Sequence, residues 1–173
     1  MCEDDEHRRN LSADREAIWP QKLVLVDLNP KCLQISASRI GLPGLTECVV
    51  ADVMHPLPLK LDKTEKFDSI SLMYVLHCLP VPPEKKGAAF ANLRPYLSDT
   101  GTLFGTTVLG NTVRHTRLGA LLIWLYNLTG VFSNLDDGKE AFDKALLEEF
   151  EYVETSVVGQ VLLFKARRPR NVN

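Results

Sequence analysis

The sequence predicts an α/β domain built on a mostly parallel sheet that closes in an antiparallel hairpin. Three observations predict it. A short continuous apolar run, "KLVLVD", reads as a strand buried on both faces, "ECVVAD" as a second buried strand and "FDSISLMYVL" as a third strand. Segments with helical signals alternate with them, as crossover connections between parallel strands require. The chain then closes with "YVETSVV" and "GQVLLFKARR", two runs joined closely enough to form a hairpin.

Each element has its own warrant. Residues 1–20 alternate charges without apolar periodicity and read as a charged arm ending at Pro20. A strand is expected near 22–27. Asn29-Pro30 then starts a helix through Arg39, because asparagine caps and proline suits the first turn. "GLPG" ends that helix, a second strand follows near 47–51, and "HPLPLKLDKTEK" is a proline-broken loop. The third strand covers 67–74, and the prolines of "HCLPVPP" argue against a helix there. Residues 84–97 read as one helix with Ala89, Phe90, Leu93 and Leu97 on its inner face. A fourth strand is expected at 102–108, an insertion or cap at 111–138, and an amphipathic helix in "GKEAFDKALLEEF". Antiparallel strands at 151–157 and 160–166 complete a domain spanning 21–168, leaving 169–173 as a tail.

Composition narrows the function. A chain of 173 residues with 45% hydrophobic content has enough apolar material for a sizeable core. Its net charge of −2 supplies no basic field for nucleic acid. Cys2, Cys32, Cys48 and Cys78 form no C-x-x-C pair, and His7, His55, His77 and His115 show no metal spacing, so no metal is expected. Reduced thiols and an N-terminus without the apolar stretch of a signal peptide point to a cytoplasmic setting. The uncharged run "LGALLIWLYNLTGVFSNL" carries Asn127, two glycines and Ser133, and fits a buried or cap helix better than a membrane span. Within it Trp124 and Tyr126, with Leu121, Leu122 and Leu125, suit either a roof over an acceptor pocket or a buried helix face.

Two strand-ending acids carry the chemistry. Asp27 closes the first strand and Asp52 follows the second. In open α/β sheets ligands bind outside the carboxyl ends of the strands. A carboxylate there accepts both ribose hydroxyls, while a second acid accepts from an adenine amine and a neighbouring backbone N–H, here that of Val53, serves a ring nitrogen. Strand-end aspartates also cap helices and form turns, so either one alone leaves both readings open.

Taken together, "VDLNP", "VVADV", "FDSISLMYVLHCLP", "LRPYLSDTGTLFGTTVLG" and "FEYVETSVVGQVLLFKARR" resemble successive segments of class I S-adenosylmethionine-dependent methyltransferases. The resemblance is to the small-molecule group of bacteria and fungal secondary metabolism, and runs from about Lys22 to Arg168. It implies a Rossmann-like class I sheet, S-adenosylmethionine as cofactor and a small-molecule acceptor as partner. It also implies Asp27 on the ribose, Leu28 against the adenine, Asp52 and Val53 at the adenine edge, and Tyr74 near the methionine portion. His77 would face the acceptor as the candidate catalytic residue; acid–base chemistry and a hydrogen-bonded loop histidine both suit it.

One departure matters. Family members cradle the methionine carboxylate with a central first strand and a G-x-G-x-G turn, where only glycine lets the backbone approach the ligand. This chain has no glycine before Gly41. The resemblance therefore implies an N-terminally truncated member whose first strand is missing. Its strands at 22–27 and 67–74 must pair directly, accept a strand from another chain, or keep open edges that invite self-association or a partner. Poor cofactor binding and weak activity follow as expectations, with a non-methylating scaffold or partner-binding subunit as the rival reading.

Overall fold

The computed structural model describes residues 20–59, 61 and 65–170, so the expected arm at 1–20 lies almost wholly outside the described residues. The chain divides into two compact units, one ending at Ala51 and one beginning at Asp52.

In the first unit β1 (Leu23–Asp27) pairs in parallel with β2 (Thr46–Val50), in register from Leu23 opposite Thr46 to Asp27 opposite Val50. The crossover is α1, Pro30–Ile40. The Asn29 side chain accepts the Lys31 N–H at 3.0 Å and Pro30 opens the first turn, which is the start that Asn-Pro encodes. Gly41 ends the helix at φ 71°, a left-handed conformation that costs glycine least. Leu33 is the buried residue of α1, and the helix packs on both strands.

The second unit holds a four-stranded sheet in the order β3-β4-β6-β5. Its strands are β3 (Phe67–Met73), β4 (Leu97–Val108), β5 (Phe150–Val158) and β6 (Val161–Pro169). β3 and β4 are parallel, and β6 runs antiparallel to both β4 and β5. Three strands thus share one direction and β6 is reversed, as the alternation and the closing hairpin predict. Among the described residues β1 pairs only with β2, and β3 pairs only with β4 on one of its edges.

Helices cover one face of this sheet. They are α2 (Pro83–Lys86), α3 (Ala88–Leu93) and α5 (Lys139–Glu149), with α4 (Arg117–Leu128) lying between β4 and α5 in sequence. Phe90, Leu93, Phe142 and Leu146 from the helices are buried, as are Leu103, Leu162, Phe164 and Ala166 from the strands. Phe90 meets Phe164 edge-on at 5.6 Å, an arrangement aromatic pairs favour. Burial alternates along β6, with Leu162, Phe164 and Ala166 inside and Leu163 part-exposed, the period of a strand with one covered face.

Three local expectations are corrected. The helix expected over 84–97 is interrupted at Gly87 and ends in a 3₁₀ turn at Arg94–Tyr96. A Cβ on Gly87 would stand 2.8 Å from the Ala145 Cβ of α5, so the chain approaches closely there, and Pro95 removes an N–H that a longer helix needs. The inner-face residues Ala89, Phe90, Leu93 and Leu97 are nonetheless all buried. The loop after β3 contains a short 3₁₀ turn, Leu76–Cys78, ahead of Pro80; the prolines confine it instead of forbidding it. β3 itself stops at Met73, because Tyr74 turns to φ 57°.

Candidate functional site

Asp27 is exposed at the carboxyl end of β1. Its Oδ1 accepts the Asn29 N–H at 2.7 Å, and its carbonyl accepts the Ala51 N–H at 3.3 Å. The side chain therefore forms the turn into α1 while remaining open to solvent, and Leu28 beside it is 65% exposed. In the other unit Asp52 does the same job after β2. Its Oδ1 accepts the Met54 N–H at 2.9 Å, and its Oδ2 lies 3.3 Å from His55 Nδ1. Asn92 of α3 donates to the Val53 carbonyl at 3.0 Å and so fixes this loop. The Val53 N–H has no hydrogen-bond partner among the described residues.

Tyr74 and His77 come together at the end of β3. The Tyr74 N–H donates to Thr106 O at 2.8 Å, and the side chain is half-exposed. A left-handed φ on a bulky residue is strained, of order 1–3 kcal/mol, and such strain gathers at functional positions. The His77 ring sits edge-on to Tyr74 at 6.1 Å and to Phe132 at 4.4 Å, and Phe132 in turn contacts Tyr126 at 4.9 Å. His77 is buried. Burial, followed by the nearby Lys86 charge, holds its pKa down at about 4, so the imidazole is neutral near pH 7. Val108 N–H donates to Nδ1 at 3.4 Å, with Thr107 Oγ1 at the same distance, which assigns the ring proton to Nε2.

Behind His77 lies a polar network that sequence reasoning missed. The Lys86 ammonium, fully buried, donates to Asp137 Oδ2 at 2.6 Å and to Ser133 O at 2.7 Å. Ser133 N–H donates to the His77 carbonyl at 2.7 Å. Desolvation pushes the Asp137 carboxyl up, and the hydrogen bond and charge of Lys86 oppose it. Asn134, also fully buried, donates from its side chain to Val108 O at 3.0 Å; its Oδ1 accepts from Asn127 Nδ2 of α4, and its backbone N–H donates to Asn127 Oδ1. The segment 129–137 is thus fastened to β4, to α2 and to the His77 turn by buried polar bonds. Lys86 lies in "PEKK", a charged run that reads as solvated, so nothing local announces its burial.

Helix α4 sets aside one of its two expected readings, the buried face. Of the residues proposed as a roof or buried face, Leu121, Leu122, Trp124, Leu125 and Tyr126 are all substantially exposed, and Ile123 is the buried residue of the helix. Among the described residues no helix is long and apolar enough to cross a membrane, and no group of metal-ligating side chains is present.

Comparison with known proteins places this geometry. No family model matches the chain. It is 53% identical over 168 residues to methyltransferase aurB of Calcarisporium arbuscula, covering 97% of this chain and 71% of that protein. It is 38% identical over 149 residues to the physcion biosynthesis cluster O-methyltransferase of Aspergillus chevalieri, covering 86% of this chain and 66% of that protein. Among solved structures, the N-methyltransferase NodS from Bradyrhizobium japonicum WM9, in complex with S-adenosyl-L-homocysteine, superposes with a TM-score of 0.56. That match covers 86% of this chain and 67% of NodS at 17% identity, a likeness of fold. The reversed strand beside a parallel pair and the extent of identity to named methyltransferases agree. The chain belongs to the class I S-adenosylmethionine-dependent methyltransferase family.

Proposed function

We propose that the reaction of this protein is methyl transfer from S-adenosylmethionine to a small-molecule acceptor of secondary metabolism. The 173 residues would supply the adenosine-binding edge and the acceptor side of that reaction. The observation that carries the reading is the 53% identity to a named methyltransferase over nearly the whole chain. A relative from a physcion biosynthesis cluster supports the acceptor class.

The residues fit the cofactor in part. Asp27 is exposed with one carboxylate oxygen engaged in its turn, so it can accept from ribose hydroxyls. Leu28 offers an exposed apolar surface for the adenine. Asp52 can accept from the adenine amine, and the Val53 N–H, without a partner among the described residues, can donate to a ring nitrogen. Tyr74 is proposed beside the methionine portion. When bound, the cofactor supplies an electrophilic methyl group on a sulfonium. His77 presents Nε2–H with Nδ1 already engaged, and a pKa of about 4 makes it a weak base. Its role toward an acceptor is therefore orientation, and methyl displacement depends mainly on alignment.

No glycine turn occurs before Gly41, so the methionine end lacks a cradle within these residues. A second reading is a non-methylating scaffold or partner-binding subunit. Titration calorimetry with S-adenosylhomocysteine separates the two. Measurable binding by wild type is expected, weakened about 10- to 100-fold by Asp27→Ala, because hydrogen bonds to a charged group contribute about 1.5–3 kcal/mol. Equal affinities would remove Asp27 from the site, and no binding by wild type would favour the scaffold.

A further inference from the structure

Helix α4 is apolar nearly all round, and a helix of that composition is ordinarily buried. Here it docks through one narrow stripe at i, i+4 and i+8. A Cβ on Gly119 would stand 3.0 Å from the Gln160 side chain, Ile123 is 4% exposed, and Asn127 is bonded to Asn134. On the far side stand Leu118, Leu121, Leu125 and Leu128, exposed by 67%, 56%, 42% and 67%. Their spacing of three, four and three is that of the a and d positions of a coiled-coil seam. At roughly 100° per residue, the centre of this stripe lies opposite Ile123.

We propose that α4 is a self-association surface on which a second copy of this chain seats its own α4, antiparallel, about a two-fold axis. Three observations choose that occupant. The leucine spacing matches the seam by which one helix grips another like itself. The four leucines of the stripe are 67%, 56%, 42% and 67% exposed, a concentration of bare apolar side chains on one face of one helix. Charge sets the direction. α4 carries Arg117 in its first turn, against its own dipole, and has no basic residue in its last turn. Antiparallel pairing brings each Arg117 to the partial negative charge at the partner's helix end. The four leucines are none of the candidate cofactor residues, so the proposal stands apart from the methyl-transfer reading.

Sedimentation velocity over roughly 1–100 µM tests it. Wild type should form a dimer. Leu121→Glu with Leu125→Glu should weaken it on the order of 100-fold or more, because each places an unpaired charge in a desolvated seam. Both side chains are exposed in the single chain, so the circular dichroism spectrum should not change. Leu128→Lys, at the helix end, is an independent variant expected to weaken the dimer too, and Arg117→Glu should weaken it several-fold. A monomeric wild type overturns the proposal. So does a dimer that survives both the paired substitution and Leu128→Lys, which would place association at a sheet edge. Co-sedimentation of a monomeric wild type with phosphatidylcholine vesicles would assign α4 to a lipid surface and equally overturn it.

Discussion

Lys86→Ala is expected to lower the unfolding free energy by about 3–5 kcal/mol, the cost of stranding one member of a buried ion pair. The ammonium and the Asp137 carboxylate are both fully buried at 2.6 Å. Asp137 Oδ1 already lacks a partner, so removing Lys86 leaves a buried carboxylate with no donor to its side chain and an unpaired Ser133 carbonyl. The backbone of Asp137 keeps its own bonds, its carbonyl accepting from Gly110 N–H and Thr112 Oγ1. Lys86→Met combined with Asp137→Leu should therefore recover most of the loss, since apolar replacement of a whole buried pair is often neutral. Urea unfolding of the two variants against wild type measures both effects. A loss below about 1 kcal/mol for Lys86→Ala would mean that the pair is solvated.

The second large effect is a pH dependence set by His77. Its pKa falls from 6.5 to about 4 on folding. As pH drops through 6.5 the unfolded chain takes up a proton that the folded protein refuses until about pH 4. Stability present above pH 6.5 is thus lost progressively down to about pH 4, by roughly 3 kcal/mol for a lowering of this size. His77→Gln keeps a neutral polar side chain at every pH, so it should remove that component. Unfolding curves collected across the window would show wild type and variant converging toward pH 4. Parallel curves would mean that His77 titrates near its ordinary value.

The limits of what could be read in the sequence follow from the range of the interactions. β1, α1 and β2 were legible because their signals are local: an apolar run, an Asn-Pro start and a glycine stop. The hairpin and the reversed β6 were legible for the same reason. The break at Gly87 was not, since it depends on Ala145 of α5, distant along the chain. Asp27 and Asp52 stand at the carboxyl ends that pattern alone assigns, and their turn-forming bonds are the alternative role open to any strand-end aspartate. The network behind His77 was invisible because Lys86, Asn134 and Asp137 are ordinary surface residue types whose burial is decided by packing. In α4 the apolar composition is legible, whereas the narrow docking stripe depends on Gln160 and Asn134, which lie outside the helix.

A radiolabelled methyl-transfer assay on the purified 173-residue chain, with a panel of small phenols, acids and amines, tests the central claim most directly. Alignment contributes up to roughly 7–11 kcal/mol in well-oriented systems, and the 173 residues contain no G-x-G-x-G turn to align the methionine end. The account predicts turnover little above background from these residues alone. Robust turnover would contradict it, and would mean that the cofactor is cradled by residues other than those identified.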